Sequence, residues 1–322
     1  MEIKERAIAC FEALATGDAI GKQTETLPHA DVLRWYPEGI HGFHGVPCEI
    51  IPRYVGNRNR EWRIGETTDD TEQTLAVARA ILRDQAVRHT SVGTELLGCT
   101  KSVHSGVQSI WTFKHIADPA RVAVDGDGCG AAMRVSPVGI LYSSSRLDAL
   151  VKGAHQASIP THGGQHAICA AAAVAVAISA ALDGGSANDV LRSSVRAAEM
   201  ALTLNPAPHS VTMASAIQNM HDDISGRGEL RADDLARTYF PDRPETKVPL
   251  AICLAVITQS VQDTLLLAAN IGGDADSVAS IGGAIAGALN PASVNQDWVH
   301  VVNTVNRHDL RNVAGALAAL RS

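Results

Sequence analysis

The sequence predicts an all-α fold, on three observations. Of its 322 residues, 46% are hydrophobic and only 4% aromatic, so the apolar content rests on Ala, Val, Leu and Ile, which suit close helix contact better than a sandwich of large side chains. Apolar positions recur at helical spacing between loops marked by Gly or Pro. The longest apolar run, residues 167 to 182 (AICAAAAVAVAISAAL), is dominated by Ala. It falls short of the roughly 20 residues a bilayer needs and reads as a core helix.

Along the chain, Ala7, Ile8, Phe11, Leu14 and Ala15 form a helical stripe, and Gly17 stands where a C-terminal cap belongs. GDAIGKQTE, residues 17 to 25, then reads as a loop. Residues 38 to 66 are rich in Gly, Pro, Asn, His and Arg and read as a long irregular connection. TTDDTEQTLAVARAILRD follows, a helix whose inward stripe is Leu75, Ala78, Ile81 and Leu82. Further helices are expected near 105 to 117, 143 to 157, 165 to 183, 186 to 203, 247 to 260, 262 to 269, 277 to 289, 293 to 305 and 308 to 320. Between them DGDGCGAAMRVSPVG (125 to 139), IPTHGGQH (159 to 166) and NPAPHS (205 to 210) read as loops. There is no internal repeat and no linker of distinct composition, so a single domain over 1–322 is expected.

Lys plus Arg number 27 and Asp plus Glu 34, a net charge of −7, which lacks the basic bias of a protein for nucleic acid or anionic membranes. The six Cys are scattered and form no CxxC pair, which points to free thiols in a reducing, cytoplasmic compartment. Residues 1 to 14 alternate charged and apolar side chains and do not read as a signal peptide.

Two stretches carry chemistry. In NIGGDADSVASIGGAIAGAL, residues 270 to 289, Asp274 and Asp276 stand with Ser277 at the mouth of a helix of small residues. In TTDD, residues 67 to 70, Thr68, Asp69 and Asp70 precede another helix start, where Asp69 and Glu72 fit a capping pair. One acid at either place would be an ordinary cap. Two acids at each repel one another and suit hard divalent cations, since Mg²⁺ and Mn²⁺ take oxygen ligands. Four carboxylates balance two such ions.

Weaker signals surround them. Glu25 ends its Gly-rich loop as a candidate base for water, though an isolated Glu is more often solvated. The loop from Gly126 through Asp127, Gly128 and Cys129 to Gly130 has backbone N–H groups that could approach a phosphate, but it lacks the P-loop Lys, and a plain turn fits equally well. His162 could meet a base or simply be polar surface. Arg53, Arg58, Arg60 and Arg63, interleaved with Tyr54 and Trp62, read first as a solvated charged loop.

GDAIGKQTE, GETTDDTEQTL, GDGCGAAMRV, THGGQH and NIGGDADSVASIGGAIAGAL, in this order, resemble the ADP-ribosylglycohydrolase family over residues 5 to 290. The resemblance implies an all-α domain with two Mg²⁺ or Mn²⁺ ions on the floor of a cleft. It implies hydrolysis of the bond between ADP-ribose and an acceptor, with an ADP-ribosylated protein or small ADP-ribose conjugate as substrate and ADP-ribose as product. By position it makes Thr68, Asp69, Asp70, Asp274, Asp276 and Ser277 metal ligands, with Asp276 bridging, and Glu25 an acid beside the scissile bond. It gives residues 126–130 to the diphosphate and distal ribose, and His162 to the adenosine. Cys129 departs from the Asn usual in that loop. Arginine is the acceptor favoured by analogy. Two other readings stand beside this one: a phosphohydrolase suggested by HDD at His221 to Asp223, in a polar stretch that reads as a loop, and a non-catalytic ADP-ribose binder.

Overall fold

Two helices whose facing residues are nearly all Gly and Ala, Ile3–Gly21 and Ala275–Leu289, cross so closely that their backbones touch. A Cβ on Gly17 would lie 2.3 Å from the Ala279 carbonyl oxygen, and one on Gly283 would lie 2.6 Å from that of Ala13. Gly17 is therefore not a cap. It is an interior glycine of a helix that continues to Gly21, because no side chain fits at that crossing. Gly17→Ala is expected to lower the unfolding free energy by about 1–3 kcal/mol through overpacking. A denaturant midpoint equal to that of the parent would contradict the close crossing.

The computed structural model describes residues 2–47, 49–50, 62–102, 110–206 and 211–322. Among them the regular structure is helical throughout. The Ala275–Leu289 helix packs against Ile3–Gly21, Pro244–Thr258, Val261–Ile271 and Gln165–Leu182. Every residue of Gln165–Leu182 is buried, so the helix that is long and apolar enough to cross a membrane lies inside the bundle. Arg6 closes the far end, donating to the carbonyls of Ala288 (2.6 Å), Leu289 (3.0 Å) and Ala181 (3.2 Å), where both buried helices run out of backbone donors. One apolar cluster runs from Ala7 to Leu317.

The other differences from the sequence reading have local causes. GDAIGKQTE is the last turn of the first helix and a 3-10 turn, Lys22–Thr24. The segment 125–139 holds two short helices, Gly130–Met133 and Ser136–Leu141. HDD is the exposed end of a helix, Met213–Ser225, and Asp223 accepts from the Tyr239 hydroxyl (2.6 Å) and pairs with Arg227. Arg53, Tyr54, Arg58 and Arg60 lie outside the described residues. Cys10, Cys99, Cys129, Cys169 and Cys253 are free thiols.

Candidate active site

The first acidic corner is built on Asp18, in the last turns of the N-terminal helix. Its carboxylate accepts from the Thr68 N–H (2.8 Å), the Thr71 N–H (3.0 Å) and the Thr71 hydroxyl (2.5 Å). That fixes the start of the Asp69–Asp84 helix, and Thr68 caps it by accepting from the Asp70 N–H at 3.2 Å. The expected Asp69–Glu72 capping pair is not made. Glu72 instead accepts from the Thr100 and Lys101 N–H groups (2.8 and 2.7 Å), which frees Asp69 to take a hydrogen bond from Gln73 (2.9 Å). Gln73 is held in turn by the fully buried Arg134 at 2.8 Å. Asp18→Ala would orphan several buried donors at about 1–3 kcal/mol each. It is expected to cost roughly 2–4 kcal/mol in chemical denaturation; a neutral outcome would remove Asp18 as the brace.

The second corner turns on Gly272 and Gly273, both at positive φ (87° and 67°). A Cβ on Gly272 would meet the Leu27 carbonyl at 2.5 Å. The Gly273 N–H donates to Leu27 (2.8 Å) and the Thr26 N–H donates back to Gly273 (2.7 Å). This exchange lays the Glu25 segment alongside Asp274, Asp276 and Ser277. Gly21 completes it, since a Cβ there would come within 2.6 Å of the Asp276 Cα. Glu25 is not solvated: it is 4% exposed and paired with the buried Lys22, whose ammonium lies 4.4 Å from the Trp62 ring centre.

The two corners meet. Burial, then Asp18, Asp69, Asp274 and Glu25, hold the Asp70 carboxyl well above the usual carboxylate range. Burial, then Glu25, Asp70 and Asp274, do the same to Asp276. Asp69 is pushed up to about 8 by burial, with Glu25 and Asp18 behind it. Asp274 goes the other way. Burial, the largest single influence, opposes its ionisation, but Lys247, 2.7 Å away, together with hydrogen bonds from Cys129 and Asp276, brings it below the ordinary range. Asp70 Oδ1 and Asp276 Oδ1 are buried with no hydrogen-bond partner. Among the described residues no three His, Cys, Asp or Glu side chains stand in a closed coordination cluster, yet two orphaned carboxylate oxygens of like charge from opposite corners are the donors a hard divalent cation takes.

The glycine loop docks on the second corner. Cys129 Sγ donates to Asp274 Oδ2 at 3.0 Å and lies 3.7 Å from Ser277 Oγ. Asp127 spends its carboxylate on the next segment, accepting from the His166 N–H (2.8 Å) at the start of Gln165–Leu182, so its role is to hold the loop. The Gly163 N–H donates to Asp125 (2.8 Å) and the Gly164 N–H to Gly126 (3.1 Å), which ties residues 126–130 to the His162 segment. His162 is buried against Gly130, where a Cβ would lie 2.8 Å from its ring, and its Nδ1 is 2.7 Å from the Thr161 hydroxyl. Burial, with Arg134 and Arg121, pushes it down to about 3, so the imidazole is neutral and is not polar surface. The sequence reading missed Asp18, Lys22 and Lys247 as members of the site. Asp18 and Lys22 lie inside a quoted motif, whereas nothing around Lys247 marks it.

The sequence profile of the ADP-ribosylglycohydrolase family matches residues 1–322. The chain is 29% identical to an uncharacterised protein of Archaeoglobus fulgidus, over 92% of this chain and 91% of that one. It is 25% identical to the ADP-ribosylarginine hydrolase Tri1 of Pseudomonas putida, over 92% and 74%, and 24% identical to the ADP-ribosyl-[dinitrogen reductase] glycohydrolase of Rhodospirillum rubrum, over 99% and 97%. A solved structure titled as an ADP-ribosylglycohydrolase-related protein complex superposes with a TM-score of 0.66 at 23% identity, covering 99% of both chains.

Proposed function

The chain belongs to the ADP-ribosylglycohydrolase family of hydrolases, and from that premise we propose that it releases ADP-ribose from a modified protein side chain, arginine first, using two Mg²⁺ or Mn²⁺ ions. The observation that carries the proposal is the pair of orphaned oxygens, Asp70 Oδ1 and Asp276 Oδ1, facing a site of buried acids. Thr68, Asp69 and Asp70 from one corner and Asp274, Asp276 and Ser277 from the other would hold the ions. Once bound, the ions supply positive charge that lowers the pKa of water and holds ribose hydroxyls next to the anomeric carbon.

The chain's own groups do the rest. Glu25, set against the acids by the Thr26–Gly273 pairing, takes the proton from the attacking water. Lys22 pairs with it and holds the buried carboxylate in place. The N–H groups of residues 126–130 bind the diphosphate, and neutral His162 stands behind Gly130 toward the adenosine. Holding the nucleotide at these points fixes the ribose in register for displacement. Arginine is placed first because the Pseudomonas putida relative is named for ADP-ribosylarginine.

A panel of proteins ADP-ribosylated on arginine or on serine, with O-acetyl-ADP-ribose beside them, tests the proposal in Mg²⁺, in Mn²⁺ and in chelator. Metal-dependent release of free ADP-ribose, fastest from arginine, is the expected result. Release undiminished by chelator would overturn the metal assignment, and serine outpacing arginine would overturn the acceptor.

A further inference from the structure

A groove of about 760 Å³ opens beside the site, between the His29–Trp35 helix, residues 37–40, residues 229–233 and the Val261–Ile271 helix. Its floor is apolar: Leu230, Ile257, Leu266 and Leu267 are half-buried there, and Leu33 is 49% exposed. Its rim is acidic. Glu38, Glu229 and Asp263 are exposed and pair with no cation among the described residues. Two bases beside it, His29 and Arg231, are both spent on Asp233, at 3.0 and 4.0 Å. An apolar trough ringed by unpaired carboxylates is complementary to a peptide segment with an apolar anchor between basic side chains.

The groove is within reach of the chemistry. Asn270 lines it and joins its two walls, accepting from the Ile40 N–H at 2.7 Å and donating to the Ile40 carbonyl at 3.0 Å. Asp274 follows four residues later, so the chain itself limits the separation to about 14 Å. We infer that this groove receives a segment of the acceptor protein, an apolar side chain flanked by Lys or Arg, and so selects among modified proteins. The inference rests on the proposed protein acceptor.

The test uses the whole protein and a fluorescently labelled peptide with leucine between arginines, against the same peptide with glutamate in place of arginine. Only the basic peptide should bind, more weakly as salt rises. Asp263→Lys on the exposed rim and Leu266→Glu on the floor should each weaken it by about tenfold or more. The same variants should lose about tenfold in kcat/KM on an ADP-ribosylarginine protein and nothing on a small ADP-ribose conjugate. Equal binding of the two peptides, parental binding by Asp263→Lys, or equal losses on both substrates would each overturn the inference. A mass that doubles with concentration, and returns to one chain in Leu266→Glu, would assign the groove to a second copy instead. Peptide binding needs no turnover, so an inactive enzyme that still binds the basic peptide would defeat the proposed activity and leave the groove standing.

Discussion

Asp276→Ala is expected to lower hydrolysis of an ADP-ribosylated substrate by about 10³-fold or more, while leaving the metal-free protein at least as stable as the parent. The two halves have one cause. In the metal-free protein Asp276 is a burden: 3% exposed, one oxygen without a partner, its carboxyl driven up by burial and by Glu25, Asp70 and Asp274. Deleting it removes an unsatisfied buried group and one source of repulsion. Ala fits the first turn of a helix whose neighbouring residues are already Ala and Ser. Loss of activity follows if the same carboxylate is one of those that would hold the ions. A residue that merely supported the site would cost about 10–100-fold. The readouts are kcat/KM in Mg²⁺ and the melting temperature in chelator. A variant that is inactive and also melts earlier would make Asp276 a structural residue, and a fully active one would remove it from the catalytic set.

What could be read from the sequence divides along the range of the interactions involved. The acidic corners were legible because they are helix starts, and cap chemistry is local: Thr68 caps its helix from within two residues. The buried helices were legible from runs of small apolar side chains, and Gln165–Leu182 and Ala275–Leu289 fall within two residues of their expected bounds. Gly17 was misread because a glycine suits a C-terminal cap and a backbone crossing equally. Only the partner, Ala279, 262 positions away, decides between them. Glu25, a candidate base that as an isolated Glu reads more readily as solvated, shows the same limit, since the segment it ends is placed by the distant exchange of Thr26 and Leu27 with Gly273. Lys247 follows Pro and Thr in a helix start and carries no mark of its contact with Asp274. The helices His29–Trp35, His89–Leu96 and Ala232–Tyr239 are seven or eight residues long, too short for periodicity to separate them from loops.

Metal should stabilise the protein, and more so as pH rises. The carboxyls of Asp69, at about 8, and of Asp70 and Asp276, well above their usual range, hold protons that an unfolded chain releases near pH ~3.9. Between those limits the folded state binds more protons than the unfolded one. The stability these three acids contribute is therefore full below about pH 4 and is lost as pH rises toward about 8. His162 and His308, pushed down by burial to about 3 and about 4, add stability in the opposite sense up to about pH 6.5. Asp274 also has the opposite sign, but its contribution changes only at acid pH, below its unfolded value, and leaves this window unaltered. A divalent cation binds the deprotonated acids and competes with the protons, so it restores most where the metal-free protein has lost most. At about a hundredfold excess over its dissociation constant it adds about 2.7 kcal/mol. Calorimetric melting between about pH 6.5 and 8, where the histidines no longer titrate, should show the melting temperature falling with pH in chelator, and a nearly flat profile in Mg²⁺ or Mn²⁺. Asp70→Asn combined with Asp276→Asn should make the chelator profile shallower, leaving the part that Asp69 contributes, and abolish the response to metal. A response to metal that is the same at every pH, or that survives in the double variant, would place the cation elsewhere and dissolve the link between the two acidic corners and the chemistry.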